Sequence, residues 1–172
     1  MLLLETPRLT LRPVALADAP FIRELVNDPD FLRNVGDRGV RTVADAETYL
    51  REGALASYAR SGLGLFVIEP RERPAQVGVC SLVRREGLAD VDIGYALLPA
   101  HRGRGYALEA TAAVLEHARS TLGLAPIVAV TTPANYPSIK LLRALGLRFD
   151  RHVRLPGGDE ALALYTDAPA QK

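Results

Sequence analysis

Apolar and polar positions alternate at Leu9-Thr10-Leu11-Arg12, which predicts a first strand with one buried face. The period then lengthens. Asp18 precedes Pro20 and an apolar set at Phe21, Ile22, Leu25 and Val26, the pattern of a helix with an N-cap, a first-turn proline and one buried stripe. Asn27-Asp28-Pro29 ends that helix, and a polar stretch from Arg33 to Gly39 follows, punctuated by Gly36. Thr42-Val43-Ala44-Asp45 opens a second helix with a capping-box pattern, running to about Arg60 and stopped by Ser61-Gly62. Three strands come next: Leu65 to Ile68, Gln76 to Val83, and Asp90 to Leu98. In the third, Val91, Ile93, Tyr95 and Leu97 share one face, while Asp92, Gly94 and Ala96 share the other.

A longer helix, from about Arg104 to Leu122, carries Leu108, Ala112, Leu115 and Ala118 on one stripe, with Gly123 as its C-cap. Ile127 to Thr131 reads as a short buried strand. Asn135 caps another helix, with Pro137 in its first turn and Gly146 beyond its end. Leu147 to Arg154 and Ala161 to Tyr165 close the chain as two strands around Pro156-Gly157-Gly158. The order β, α, α, β, β, β, α, β, α, β, β predicts a mixed α/β chain with a central meander and one parallel crossover.

Composition narrows the setting. A length of 172 residues fits one domain spanning 1–172. Lys and Arg total 21 against 20 Asp and Glu, a net charge of +1, which argues against nucleic-acid or membrane-surface partners. A single cysteine, Cys80, leaves no disulfide and no thiolate zinc site, so no metal is expected and a reducing cytoplasm is the natural setting. The N-terminus meets charge too soon for a signal peptide. The longest uncharged stretch, Ser120 to Ile139, holds three prolines and is no membrane helix.

The segment that carries chemistry is Leu97-Leu98-Pro99-Ala100-His101-Arg102-Gly103-Arg104-Gly105-Tyr106-Ala107. A strand stops, a loop with two glycines and two arginines turns, and a helix begins. Glycines let backbone N–H groups approach a ligand, the helix N-terminus favours negative charge, and Arg102 and Arg104 add full positive charges. That combination predicts a pyrophosphate site; a plain solvated loop is the competing reading. A Walker loop is absent, and Gly103-Arg104-Gly105 followed by Leu108 fails the dinucleotide fingerprint.

Arg102-x-x-Gly105-x-Ala107 resembles the Arg/Gln-x-x-Gly-x-Gly/Ala signature of the GNAT superfamily of acyl-CoA-dependent N-acetyltransferases. Asp92-Ile93-Gly94-Tyr95-Ala96-Leu97, leading into Gly105-Tyr106-Ala107-Leu108-Glu109-Ala110, is similar to the RimJ/RimL branch of that family. So are the helix from Asn135 through Ser138 to Gly146-Leu147 and the opening Leu4 to Pro13. The resemblance spans nearly the whole chain. It implies a mostly antiparallel sheet flanked by helices, with splayed central strands. It also implies acetyl-CoA as cosubstrate and an amine acceptor, either a protein N-terminus or a small molecule.

Carried over residue by residue, the resemblance places the pantetheine arm along Tyr95, Ala96 and Leu97. It places the pyrophosphate on the amides of Gly103, Arg104, Gly105, Tyr106, Ala107 and Leu108, with Arg102 at the first signature position. Asn135 matches an asparagine that contacts the cofactor, and it also fits as a plain N-cap. Many members protonate the departing thiolate from a tyrosine where this chain has Leu142. Ser138 matches the serine that the RimJ/RimL branch turns to the sulfur; a first-turn hydroxyl bonded to its own backbone is the competing reading.

For the general base, Asp92 is the candidate on the strand leading to the thioester, with an exposed sheet carboxylate as its rival reading. Glu86 could act only through water, and His101 is disfavoured by the neighbouring Arg102. His117 and His152 read as surface positions, Glu109 as helix support, and Tyr136 as a possible lining of the acceptor site. Water as the base stays open. So does a second reading of the whole chain, a non-catalytic acyl-CoA sensor, whose support is Leu142. The segments 31–41 and 154–159 are expected to line the acceptor site, where Asp37 alone among Arg33, Arg38 and Arg41 makes no acidic tunnel for a polyamine.

Overall fold

The computed structural model describes residues 3–169; the two residues before them and the three after lie outside the description. Eight strands form one sheet: β1 (Leu4–Glu5), β2 (Leu9–Pro13), β3 (Leu65–Pro70), β4 (Gly78–Arg84), β5 (Val91–Leu97), β6 (Ile127–Thr131), β7 (Arg148–Val153) and β8 (Leu162–Thr166). Their spatial order is β1-β2-β3-β4-β5-β6-β8-β7. All neighbours are antiparallel except β5 and β6. The expected mixed, mostly antiparallel architecture with one parallel crossover is therefore the observed one.

Alternation along the strands feeds two cores, one on each face. Val67, Val79 and Ala96 point to one side, against α1 (Ala19–Val26) and α3 (Val43–Leu50) through Phe21, Ile22, Leu25, Ala46 and Leu50. Phe66, Cys80, Leu82 and Ile93 point to the other, against α5 (Tyr106–Ser120) and α6 (Tyr136–Ala144) through Ala110, Val114, Ala118 and Leu142. Thr42 accepts from the Asp45 N–H and Asp45 from the Thr42 N–H, the predicted capping box.

Four sequence expectations need correction. Asp28-Pro29 ends α1 but also starts α2 (Pro29–Asn34), because the Asp28 carboxylate accepts from the Asp30 and Phe31 amides and proline suits the first helical position. The helix after Thr42 reaches Ser61 only through a π turn at Arg51–Leu55, before α4 (Ala56–Ser61) ends at Gly62 with φ 69°. On α5 the buried residues are Ala110, Thr111, Val114, Leu115, His117 and Ala118, while Leu108 and Ala112 are exposed. Small side chains let this helix lie close on β4 and β5, a signal that a search for large apolar residues misses. His117 is accordingly buried, edge-on to Phe66 with ring centroids 6.4 Å apart, and not at the surface.

The fourth correction is Asp18, whose carboxylate does not cap α1. It is buried and accepts from both terminal nitrogens of Arg12 at 2.9 and 2.8 Å, from the Ala15 N–H at 2.7 Å, and from Gln76. Burial pushes this carboxyl up, but the Arg12 and Ala15 hydrogen bonds, the Arg12 charge and Gln76 outweigh it and hold it below 3.8. A depressed acid stabilises the fold above its unfolded value and loses that contribution as pH falls through the folded one. Asp18→Ala should cost about 3 kcal/mol at neutral pH, because it leaves Arg12 half-buried beside Glu69 alone. Denaturant midpoints across pH check this: the gap between variant and wild type should shrink below pH ~4.

Candidate active site

The site begins where two strands part. β5 and β6 pair at Val91↔Ile127 and Asp92↔Val128 and no further. Past that point β5 stays with β4 as far as Gly78↔Leu97, and β6 stays with β8 as far as Thr131↔Ala163. Each strand therefore turns an unpaired backbone edge to the gap between them. Burial records the opening: Val91, Asp92 and Ile93 are buried, whereas Gly94, Tyr95 and Ala96 are half-buried.

A turn closes one end of the gap. Pro99–His101 makes a short 3₁₀ turn, and Gly103 and Gly105 take φ of 73° and 78° before α5 starts at Tyr106. Those left-handed angles are why glycine stands at both positions. Gly105 is the N-cap and has no capping side chain, so the first amides of a 15-residue helix have no side-chain acceptor at the cap. The Arg104 side chain is exposed and makes no ion pair among the described residues, so its charge is available there.

Arg102 is differently placed from its neighbour. Its guanidinium donates to the Leu97 carbonyl at 3.1 and 2.9 Å, to Asp28 at 2.6 Å, and to Asp30. It therefore ties the end of β5 to the start of α2, and its charge is already balanced. Arg8, which the sequence reading passed over, stands on the far side of the turn. It donates to the Arg104 carbonyl at 2.8 Å and to Glu109 at 2.6 Å, and lies 5.1 Å over the Tyr106 ring. Glu109 also accepts from Thr6 at 2.6 Å, so it ties the first turn of α5 to the β1–β2 turn instead of supporting the helix through a neighbour on its own face. A Cβ at Gly105 would lie 3.1 Å from the Arg8 guanidinium, so a side chain there would push on Arg8 and strain the backbone.

Across the gap, Asn135 accepts from the Ser138 N–H at 3.3 Å, the expected N-cap of α6. Burial pushes the Tyr95 phenol up, and Ser138 opposes the shift. Tyr136 is 75% exposed, and Leu142 is packed into the core.

Asp92 sits on the last rung before the strands part. It is 2% exposed, so it is not the exposed sheet carboxylate of the rival reading. Arg85 donates to its Oδ2 at 2.8 and 3.0 Å, while its Oδ1 has no hydrogen-bond partner among the described residues. Burial pushes the carboxyl up to about 6, against the charge and hydrogen bond of Arg85 and the nearby Val130 N–H. Arg85 was not foreseen, because it lies in a hairpin turn beyond the paired residues. Glu86 is exposed in the same turn, and His152 is exposed on β7 as expected. Asp37 is paired with Arg41. Two surface depressions, of about 790 and 600 Å³, lie on α1 and against β6–β8, and neither is lined by Tyr95, Ser138 or the glycine turn.

The Acetyltransferase (GNAT) domain family model matches residues 8–148, which contain the parted strands and the glycine turn. The chain belongs to the GNAT acetyltransferase family. Among curated relatives it is 30% identical over 150 residues to the uncharacterized N-acetyltransferase p20 of Bacillus licheniformis, covering 84% of this chain and 82% of that protein. It is 25% identical over 157 residues to the uncharacterized N-acetyltransferase YnaD of Bacillus subtilis, covering 90% and 89%. Among solved structures, an acetyltransferase from Agrobacterium tumefaciens superposes with a TM-score of 0.82 at 28% identity, over 96% of this chain and 94% of the other. The ribosomal L7/L12 alpha-N-protein acetyltransferase RimL, solved with coenzyme A, shares the fold at a TM-score of 0.82 and 17% identity, over 98% of this chain and all of the other.

Within this GNAT fold, the buried Asp92 is the titrating group with the most to reveal. Its folded value lies above the ordinary 3.8. The fold therefore binds more protons than the unfolded chain between 3.8 and about 6, and stability falls as pH rises through that window. Asp92→Asn removes this titration. Its stability relative to wild type should improve by up to about 3 kcal/mol between pH ~4 and pH ~7. Denaturant unfolding of both proteins at the two pH values measures this, and a constant difference would show an ordinary carboxyl.

Proposed function

We propose that this GNAT protein is an N-acetyltransferase of the RimJ/RimL kind, moving the acetyl group of acetyl-CoA to a primary amine by direct attack on the thioester. The observation that carries the reading is the parting of β5 from β6 beside an uncapped helix N-terminus. It offers unpaired strand edges to the amides of pantetheine, and helix amides with the Arg104 charge to a pyrophosphate. In this reading the arm lies along Tyr95, Ala96 and Leu97, and the pyrophosphate meets the amides of Gly103, Arg104, Gly105, Tyr106, Ala107 and Leu108. Arg102 acts by holding the turn, since its side chain is already bound. Asn135 borders the cleft as the cap of α6.

The amine must first lose a proton, because an alkylamine near pKa 10 is about one part in a thousand neutral at pH 7. Asp92 is the candidate base. It lies three residues before Tyr95, roughly 10 Å along the strand, so it would act through water. Attack forms the C–N bond and an oxyanion; collapse breaks the C–S bond. The proton shed by the attacking nitrogen passes through the base or water to the departing thiolate, so that the products are the neutral amide and CoA thiol. In this reading Ser138 is the hydrogen-bonding partner of the sulfur.

The acceptor is a peptide N-terminus or a small amine of modest charge. With Asp37 neutralised by Arg41, segment 31–41 offers a polycation no free carboxylate among the side chains that bond there. A single folded unit in a cytoplasmic setting fits the one buried cysteine. The sensor reading rests on Leu142, a core residue, and turnover is the measurement that separates the two readings.

Free thiol released from acetyl-CoA, measured against mixed primary amines and N-terminal peptides, is the test. At least one acceptor should give turnover, whereas tight acetyl-CoA binding with none would leave the sensor. Arg104→Glu should fold normally and bind CoA about thirtyfold more weakly, as two unit changes of surface charge cost about 2 kcal/mol near a phosphate. The deficit should shrink as salt is added.

A further inference from the structure

Asp92 is the one acidic side chain on β5, and it stands on the last pair before that strand leaves β6. Its two oxygens are treated differently. Two nitrogens of Arg85, Nε at 3.0 Å and Nη2 at 2.8 Å, converge on Oδ2. Oδ1 is buried as well and has no hydrogen-bond partner among the described residues. An arginine that faces a carboxylate squarely bonds both oxygens, whereas this one takes a single oxygen and leaves the other free.

The hairpin keeps Arg85 in that place. Arg85 begins the turn between β4 and β5, where the Leu88 N–H donates to its carbonyl at 3.1 Å. Gly87 takes φ 87° in this turn, and a Cβ there would lie 2.7 Å from the Pro156 ring. The turn is therefore seated against the β7–β8 loop, with the guanidinium reaching back to β5. Gly94 and Ala96 follow on the same face of β5, so on that strand nothing larger than a methyl group separates Asp92 from the parted end. We infer that Arg85 is a positioning residue for Asp92: it holds Oδ2, keeps the buried carboxylate charged, and leaves Oδ1 as the oxygen that takes the acceptor's proton through water.

A carboxylate this deep, with no cation beside it, takes up a proton at neutral pH and ceases to be a base. Burial already pushes Asp92 up to about 6, and the charge and hydrogen bond of Arg85 are the main influences against a further rise. The other charges nearby are engaged elsewhere or face solvent. β6 and β8 carry none, and Arg84 and Glu86 on the hairpin are exposed. In the depression over Val128, Arg151 pairs with Asp150, Arg148 donates to the Ala168 carbonyl, and Asp90 adds a like charge. In the β7–β8 loop Arg154 donates to the Asp159 carbonyl. The step balances: the proton leaves the attacking nitrogen, passes through water to Oδ1, and goes on to the departing CoA thiolate.

The inference rests on the reading of Asp92 as the base, and two measurements separate their failures. The first needs no acceptor: carbon-13 carboxyl resonances of aspartate-labelled protein, with Asp92→Asn giving the assignment. Asp92 should titrate at about 6 in wild type. In Arg85→Ala and Arg85→Gln it should titrate at least about one pH unit higher, and Arg85→Lys should stay close to wild type. Arg85→Gln keeps a donor for Oδ2, so it serves if the truncation to alanine unfolds the chain. The second is kcat/KM against pH, read as free thiol, with whichever primary amine or N-terminal peptide turns over fastest. The logarithmic profile should rise with a slope of about two while base and amine are both protonated, then about one. In the alanine and glutamine variants the break should move up with the carboxyl. The loss should be at least about fivefold at pH ~6 and less than about twofold by pH ~9, with a level KM for acetyl-CoA. A folded Arg85→Gln protein whose carboxyl keeps the wild-type value would overturn the inference, as would a carboxyl that moves without the rate profile. An Asp92→Asn profile that overlays wild type, or no turnover with any amine, would instead overturn the reading of Asp92 as base, and the inference with it.

Discussion

The parallel contact between β5 and β6 ends at Asp92 and Val128, and beyond it each strand keeps the antiparallel partner on its other side. β4 holds β5 over seven residue pairs and β8 holds β6 over four, against two between the parting strands. Buried backbone groups that are not paired within the sheet must find another partner. A ligand carrying amides in an extended chain can meet that need without disturbing either ladder. In this account the opening is built into the sheet, with no lid or hinge required.

The charges around the opening divide into those already spent and those still free. Arg102 is bound by Asp28, Asp30 and the Leu97 carbonyl, and so joins the end of β5 to the helix that leads into segment 31–41. Arg8 and Glu109 brace the other side of the glycine turn. Arg104 has no counter-ion among the described residues, where the amides of α5 also point outward. An anion at this place meets donors that need no rearrangement, because the neighbouring arginines hold the turn in shape.

How much of this could be read from the chain depends on the range of the interaction. Alternation in β2 and β5 and the caps at Thr42 and Asn135 are local, and they were legible. So was the glycine turn, whose conformation depends on residues adjacent in sequence. Asp18 reads as a cap by the same local rule, yet Arg12 on β2 and Gln76, just before β4, claim its carboxylate. His117 reads as a surface group, and an exposed carboxylate is the rival reading of Asp92, because a polar residue on a regular element is usually solvated. Only the packing of α5 on β3, and the hairpin that brings Arg85 back over β5, bury them.

The central claim is that the unpaired edge of β5 and the start of α5 together form the cofactor site. Amide hydrogen exchange, compared with and without saturating CoA, tests it most directly. The account predicts added protection confined to residues 94–97 and 103–108 and the first turn of α6, with β2, β3 and β8 unchanged. Protection that appears instead at the depressions on α1 or against β6–β8, with none at the parted strands, would contradict it.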